Sequence, residues 1–161
     1  PGVPITLRHI ATHTSGITDR WDVYRGTYRF DGDSKEPLAE FLRAYFTPGG
    51  KYYAPENFLV VQPGERREYS NIAAALAGLI VERAFGVPLN VYTKQHIFAP
   101  LGMTHSGWFL REVDPTNTST PFVSQNGFAT PLPLYGSTTY PDGGLLTSVS
   151  DLSKFFIAML N

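Results

Sequence analysis

The 161-residue sequence contains no cysteine. This absence excludes a disulfide framework, a thiolate zinc site and a cysteine nucleophile, although it identifies no compartment. The sequence also lacks an excess of charge, because 13 Lys and Arg residues stand against 14 Asp and Glu residues. A formal net charge of −1 excludes a basic protein that neutralises many phosphates, so we expect no nucleic-acid partner.

Long hydrophobic runs are absent as well. The longest, residues 72–81, has about half of the roughly 20 residues that a membrane-spanning helix needs, so we predict no membrane span. The sequence opens at Pro1 without an initiator Met, a basic segment or an apolar segment, and no targeting signal is visible. We therefore expect the chain to be a piece of a longer protein.

Glycine and proline are abundant, with 15 and 13 residues, in a chain long enough for one domain. We expect helices joined by irregular loops. Apolar spacing and capping residues predict four or five helices, of which the first is marginal on its own because it is short. They are a short helix at 6–13 ended by Ser15-Gly16, an amphipathic helix at 37–46, a buried helix at 70–85, a shorter helix at 89–98, and a final helix from Asp151 with a capping-box spacing at 148–151. Asn126-Gly127 predicts a small β-hairpin.

Tyr69 stands directly before the N-terminus of the predicted buried helix. A helix N-terminus carries partial positive charge, so a phenol there, with a cationic neighbour, can lose its proton and act as a base. Asn71, two residues later, can turn its amide to the same place and offers both a donor and an acceptor. A purely structural interpretation stays open at this point, in which Tyr69 packs beside the helix and Asn71 caps it.

His9 and His13 lie four residues apart, a spacing that allows two imidazoles on one helix to share a metal ion. Ile10 follows His9, where the zinc-protease motif has its general-base Glu. Helix capping and packing are therefore the favoured roles for the two histidines. We predict no metal site and no cofactor.

Four segments of the chain together resemble the serine beta-lactamase family of class C type, which includes D-alanyl-D-alanine peptidases, esterases and D-aminopeptidases. They are Leu-Arg-His-Ile-Ala-Thr-His-Thr-Ser-Gly-Ile at 7–17, Pro63-Gly64 through Tyr69-Ser70-Asn71, Pro-Leu-Gly-Met-Thr at 100–104, and Asp-Gly-Gly-Leu at 142–145 followed by Ser148 and Asp151. Each segment alone is weak, but their order and spacing make the resemblance specific. It implies a mainly α fold with a small β-hairpin, the helical lobe of the α+β serine beta-lactamase or penicillin-binding-protein-like fold.

The resemblance also implies roles for particular residues. Tyr69 is expected to be catalytic, shuttling a proton between nucleophile and leaving group, and Asn71 is expected to bind the acyl side of the substrate. The turn at 13–16 is expected to be a packing landmark. Gly143 and Gly144 are expected to be structural, with close backbone approach explaining both.

Two parts of the family pattern are missing from the sequence. In the family the nucleophile lies in a Ser-x-x-Lys helix, but no serine in this sequence is followed three residues later by a lysine. We also find no Lys-Thr-Gly or His-x-Gly strand, which in the family helps form the oxyanion hole. We therefore expect residues 1–161 to form one domain, the helical lobe of a larger serine hydrolase. Its nucleophile helix would precede Pro1, its sheet would follow Asn161, and this chain alone would be inactive.

The function expected of the parent protein is hydrolysis of beta-lactams, D-amino peptides or esters through an acyl-enzyme. Its partner is then a small-molecule acyl substrate, and the family's habit is periplasmic or secreted placement in a bacterium. Helices such as 37–46 are expected to lack their neighbour, so self-association through exposed apolar surface is a further expectation. The alternative is a non-catalytic ligand-binding or recognition module that keeps the same fold.

Overall fold

The computed structural model describes residues 2–161. Its helices are α1 (Leu7–Ala11), α2 (Trp21–Tyr24), α3 (Leu38–Phe46), α4 (Asn71–Phe85), α5 (Leu89–Thr93), which continues as a π-helical turn at Lys94–Phe98, and α6 (Val149–Leu160). Its strands are β1 (Tyr28–Arg29), β2 (Phe122–Gln125), β3 (Phe128–Pro131) and β4 (Gly136–Ser137). The predicted mainly α fold with a small hairpin is confirmed.

Helix α4 lies at the centre of this fold. Ser70 caps it, with Oγ accepting a hydrogen bond from Ala73 N at 3.0 Å, and Gly86 ends it in a left-handed conformation at φ 71°. The helix packs against α1, α3, α5 and the turn at Tyr140–Asp142. A Cβ on Gly78 would lie 2.5 Å from the Pro141 side chain, so this close approach requires glycine. The prediction of a central helix at 70–85 is confirmed.

Helix α3 buries its apolar face against α4. Leu38, Phe41, Leu42 and Tyr45 are each at most 6% exposed. The helix predicted at 37–46 is therefore confirmed, but the expectation that this face lacks a neighbour is wrong. The periodicity of the helix showed that one face is buried, and it carried no information on which element covers that face.

Helix α1 is shorter than predicted, because the chain leaves it at Ala11. Its start is fixed by a capping box in which Thr6 Oγ1 accepts from His9 N and His9 Nδ1 accepts from Thr6 N, each at 3.3 Å. Gly16 does adopt a left-handed φ of 77°, but it lies beyond the helix end and does not cap it. His13 adopts φ 55° instead, which directs the chain toward the loop before α4.

The predicted hairpin is present as β2 and β3. Its turn residues Asn126 and Gly127 have φ values of 52° and 82°, as a type I′ turn requires. A second antiparallel pair, β1 with β4, was not predicted; it aligns Tyr28 with Ser137. Two residues are too few to show the alternation of apolar and polar residues that predicts a strand. Their pairing depends on contacts between distant parts of the chain.

Helix α6 has only half of the predicted capping box. Ser148 Oγ accepts from Asp151 N at 3.1 Å, but the Asp151 carboxylate turns to the preceding loop and accepts from His105 N at 2.7 Å and Ser106 Oγ at 3.0 Å. Burial raises the pKa of Asp151, but its hydrogen bonds to His105 N–H and to Lys154 outweigh burial and leave the pKa below its usual value. Asp151 therefore fastens α6 to the loop at 102–106.

Helix α6 carries one of the exposed apolar surfaces of the fold. Val149, Ile157, Met159 and Leu160 are between 59% and 87% exposed. Self-association stays a prediction, and this surface, unlike the buried face of α3, offers exposed apolar side chains for it.

Within residues 2–161, no single helix has the length and apolarity needed to cross a bilayer. By length and composition alone, the bent pair Asn71–Phe85 and Leu89–Phe98, inclined at 75°, passes the same criterion together.

We predict that the isolated chain self-associates through α6. Ile157→Glu should weaken self-association because it places a charge within the apolar surface, whereas Gln95→Glu, which adds the same charge at an exposed polar position outside α6, should not. Sedimentation equilibrium over a range of concentrations measures both. A chain that is monomeric at every concentration would contradict the prediction.

Asp142, in the turn that packs on α4, is a partly buried carboxyl group. Tyr24 Oη donates to its Oδ2 at 3.1 Å, and Tyr28 Oη donates in turn to Tyr24 Oη at 3.1 Å. Burial raises the pKa of Asp142 from 3.8 to about 6, and the nearby Asp19 charge acts in the same direction. The folded state therefore holds this proton more tightly than the unfolded chain.

We predict that Asp142 makes the free energy of unfolding fall as the pH rises from 3.8 through about 6. Its contribution is greatest below the unfolded value and is lost above the folded one. Relative to the wild type, Asp142→Asn should gain stability across this window, on the order of 2–3 kcal/mol. Urea unfolding at several pH values measures this difference.

Asp151→Asn is the matched control, because the pKa of Asp151 is lowered in the folded state. Its carboxylate contributes stability above the unfolded pKa, and this contribution is lost as the pH falls. The cost of Asp151→Asn should therefore grow with rising pH. A difference between Asp142→Asn and the wild type that does not change with pH would contradict the assignment.

Candidate active site

The structure brings Tyr69 and Asn71 into direct contact. Tyr69 Oη donates a hydrogen bond to Asn71 Oδ1 at 3.1 Å, and the Tyr69 side chain is 57% exposed. Ser70 between them turns inward and is fully buried as the cap of α4. The two flanking side chains are therefore presented together at the surface, at the N-terminus of the central helix.

The turn that contains His13 packs against the Tyr69 ring and bonds to the residues on either side of it. His13 O accepts from Glu68 N at 2.7 Å, and His13 Nδ1 accepts from Ser70 N at 3.3 Å. The His13 and Tyr69 rings lie 4.5 Å apart between centroids at an angle of 36°. The packing role expected of this turn is confirmed, and with His9 in a capping box the two rings serve different parts of the chain. Residues 2–161 contain no cluster of three metal-ligating side chains.

Asp19 was not predicted and occupies the centre of this arrangement. Its Oδ1 accepts from Ser70 Oγ at 2.8 Å and Ile72 N at 3.0 Å, and its Oδ2 accepts from Asn71 N at 2.8 Å and Asn71 Nδ2 at 2.7 Å. The first N–H groups of α4 are therefore bonded to Asp19 and not to the Tyr69 oxygen. In the sequence, Asp19 is recognisable only as an acidic residue shortly after the turn at 13–16. Its partner Asn71 follows 52 residues later, so no local pattern indicates their contact.

The two glycines of the 142–145 segment have different surroundings. A Cβ on Gly144 would lie 2.8 Å from Tyr140 O, so the expected close backbone approach is confirmed there. Gly143 has open space where its Cβ would be, so the same expectation is wrong for Gly143.

A cleft of about 920 Å³ lies elsewhere, beside α6 and the segments that flank the hairpin. Neither Tyr69 nor Asn71 lines it, and two of its charged groups, Asp151 and Lys154, bond to each other at 3.0 Å. His105-Ser106-Gly107 beside it has the His-x-Gly sequence, which the sequence interpretation overlooked. Gly107 forms only an isolated bridge with Leu146, so this triplet is not on a sheet strand. We therefore place the candidate site at Tyr69 and Asn71.

This pair can exchange a proton and hold a carbonyl compound. The exposed phenol oxygen can accept and donate a proton, as a general acid and base must. In the part of the chain that the structure describes, Asn71 Nδ2 donates to Asp19 alone, which leaves its second hydrogen for an oxygen of a bound molecule.

Several known proteins are similar to this chain in sequence or in fold. A putative penicillin-binding protein, PbpX, of Bacillus subtilis is 27% identical over 99% of this chain and 36% of its own length. The structure of a penicillin-binding protein from Bacillus halodurans matches with a TM-score of 0.70 and 28% identity, covering 97% of this chain and 46% of that one. An octameric penicillin-binding protein homologue from Pyrococcus abyssi gives a TM-score of 0.64 and 32% identity over 95% of this chain and 34% of that one.

The chain thus spans less than half the length of each of these proteins. The family model described as Beta-lactamase matches residues 1–161, the whole of the chain. Together with these structural neighbours, that match shows that the chain belongs to the Beta-lactamase family.

Proposed function

We propose that this chain supplies one wall of the active site of a serine hydrolase that works through an acyl-enzyme. The observation that carries the proposal is the hydrogen-bonded pair of the exposed Tyr69 and the half-buried Asn71 at the N-terminus of α4. Membership of the Beta-lactamase family supports it. The serine nucleophile comes from a part of the protein outside residues 1–161.

In the proposed reaction, the serine hydroxyl attacks an amide or ester carbonyl and gives its proton to the oxygen of the neutral Tyr69 phenol, which passes its own proton to the leaving group. A bond forms between the serine oxygen and the carbonyl carbon, and the bond from that carbon to the protonated leaving group breaks. Tyr69 is again a neutral phenol after this step, and water or another acceptor later releases the acyl group. Asn71 donates its second Nδ2–H to an oxygen on the acyl side.

The proposed substrates are beta-lactams, D-amino peptides or esters, and no cofactor takes part. The relation to penicillin-binding proteins supports small acyl compounds of this kind. We propose a location in the periplasm or outside the cell, because that is the placement implied by the resemblance to the serine beta-lactamase family. A non-catalytic module of the same fold would bind such compounds without covalent capture.

We predict that Tyr69→Phe, in the complete gene product containing this chain, slows covalent labelling by a fluorophosphonate by roughly 10²–10⁴-fold. The ring and its packing on His13 stay, but the group that exchanges a proton is lost. Intact mass spectrometry over time measures the labelling rate, and the thermal midpoint should hardly change.

Tyr92→Phe is the matched control, since it also removes one tyrosine hydroxyl, here from a half-buried ring on α5 that packs on Phe85 at the opposite end of α4 from Asn71. Its labelling rate should equal that of the wild type. If Tyr69→Phe instead costs about 0.5–1.5 kcal/mol of stability and leaves labelling unchanged, Tyr69 is a structural residue.

We also predict that residues 1–161 alone form no covalent adduct with a fluorophosphonate or a beta-lactam and hydrolyse no chromogenic cephalosporin above buffer. The reason is that no serine in the chain is followed three residues later by a lysine, which is the spacing expected of the nucleophile from the family resemblance. Intact mass gives the answer, with the complete gene product as positive control. A stoichiometric adduct on this chain would place the nucleophile within it.

A further inference from the structure

The orientation of the Asn71 amide is fixed by the chemistry of its neighbour. A carboxylate has acceptors only, so the atom of Asn71 that lies 2.7 Å from Asp19 Oδ2 must be the Nδ2 donor. The opposite atom, Oδ1, then faces Tyr69 and accepts from its hydroxyl at 3.1 Å. Turning the amide over would place two acceptors against each other at Asp19 and two donors against each other at Tyr69.

Asp19 is itself held firmly on both sides by the core. Tyr45, which is 0% exposed, donates through Oη to Thr18 O at 2.8 Å and accepts from Arg20 N at 3.1 Å. The neighbouring Arg20 guanidinium pairs with Asp22 at 2.5 Å and not with Asp19. None of the ion pairs among residues 2–161 includes Asp19, so its carboxylate is committed to the start of α4.

A capping role alone would not need all of these contacts. Bonds from Ile72 N and the Asn71 backbone N would satisfy the helix end, and Ser70 Oγ already caps α4. The bond to the Asn71 side chain is additional, and it leads directly to the Tyr69 hydroxyl.

We propose that Asp19 is a positioning residue for the reaction, which acts through Asn71 by holding the amide so that Oδ1 meets Tyr69 Oη and the second Nδ2–H faces the substrate. This inference rests on the proposed function. Asp19 does not touch the reacting atoms. It sets the geometry of the two residues that do.

The test uses the complete gene product and the rate of fluorophosphonate labelling at saturating probe. Asp19→Asn should slow maximal labelling on the order of 10–10²-fold, because the amide of Asn71 loses its fixed orientation. It should also lower the thermal midpoint, since backbone donors of α4 lose a carboxylate. Asp151→Asn is the matched control, because Asp151 is a buried carboxylate that likewise accepts from a backbone N–H and a serine hydroxyl. It should lower the midpoint and leave labelling unchanged.

A second comparison shows whether Asp19 acts through Asn71. In an Asn71→Ala background, Asp19→Asn should change labelling by less than about twofold, because no amide remains to be oriented, while the midpoint loss persists. If Asp19→Asn does not fold, Asp19→Ser, which keeps a short acceptor for the helix N–H groups, is measured in the same two backgrounds.

Each outcome is decisive. The inference is supported if the effects of Asp19→Asn and Asn71→Ala on the labelling rate are not additive, while their effects on the thermal midpoint are additive. The inference is overturned if Asp19→Asn is labelled at the same rate as Asp151→Asn, or if Asp19→Asn slows labelling by the same factor with and without the Asn71 side chain. In either case the proposed function still stands, provided that Tyr69→Phe and Asn71→Ala are labelled slowly. If Tyr69→Phe and Asn71→Ala both label like the wild type, the proposed function fails and the role of Asp19 fails with it.

Discussion

The carboxylate of Asp19 joins the N-terminal segment to the first residues of α4, and the geometry of the candidate site depends on that junction. A helix leaves its first N–H groups without internal partners, and a negative charge at that end is favourable. Asp19 satisfies two of these groups and the hydroxyl of Ser70, the capping residue, as well. The position of α4 relative to residues 13–20 is therefore set by hydrogen bonds and not by apolar packing alone.

The outward placement of the exposed Tyr69 and the half-buried Asn71 follows from the burial of Ser70. Because the capping serine must point into the protein to reach Ala73 N and Asp19, its two neighbours must point outward. The His13 ring then limits where the Tyr69 ring can lie, and Asp19 limits how the Asn71 amide can turn. Because Ser70 is the buried cap of α4, the side chains of Tyr69 and Asn71 lie at the surface, where a larger active site can use them.

The remaining polar contacts fasten the outer elements around the same central helix. Tyr140 Oη donates to Glu82 Oε1 at 2.7 Å, which ties the turn at 140–142 to the far end of α4. Burial, followed by the bond to Glu82, raises the pKa of Tyr140 above its ordinary value, so the phenol stays protonated and keeps donating. Asp151 holds α6 in a comparable way, through the loop at 102–106 rather than through α4.

Local sequence determined the helices α3 and α4, the cap at Ser70, the hairpin turn at Asn126-Gly127 and the adjacency of Tyr69 to a helix N-terminus, because periodicity, capping and turn chemistry act over a few residues. The family resemblance also came from the sequence. Tertiary structure alone decided that α4 covers the face of α3, that α1 stops at Ala11, that β1 pairs with β4 and that Asp19 meets Asn71. These contacts join segments far apart in the chain, so they depend on how the whole chain packs and leave no local pattern to read.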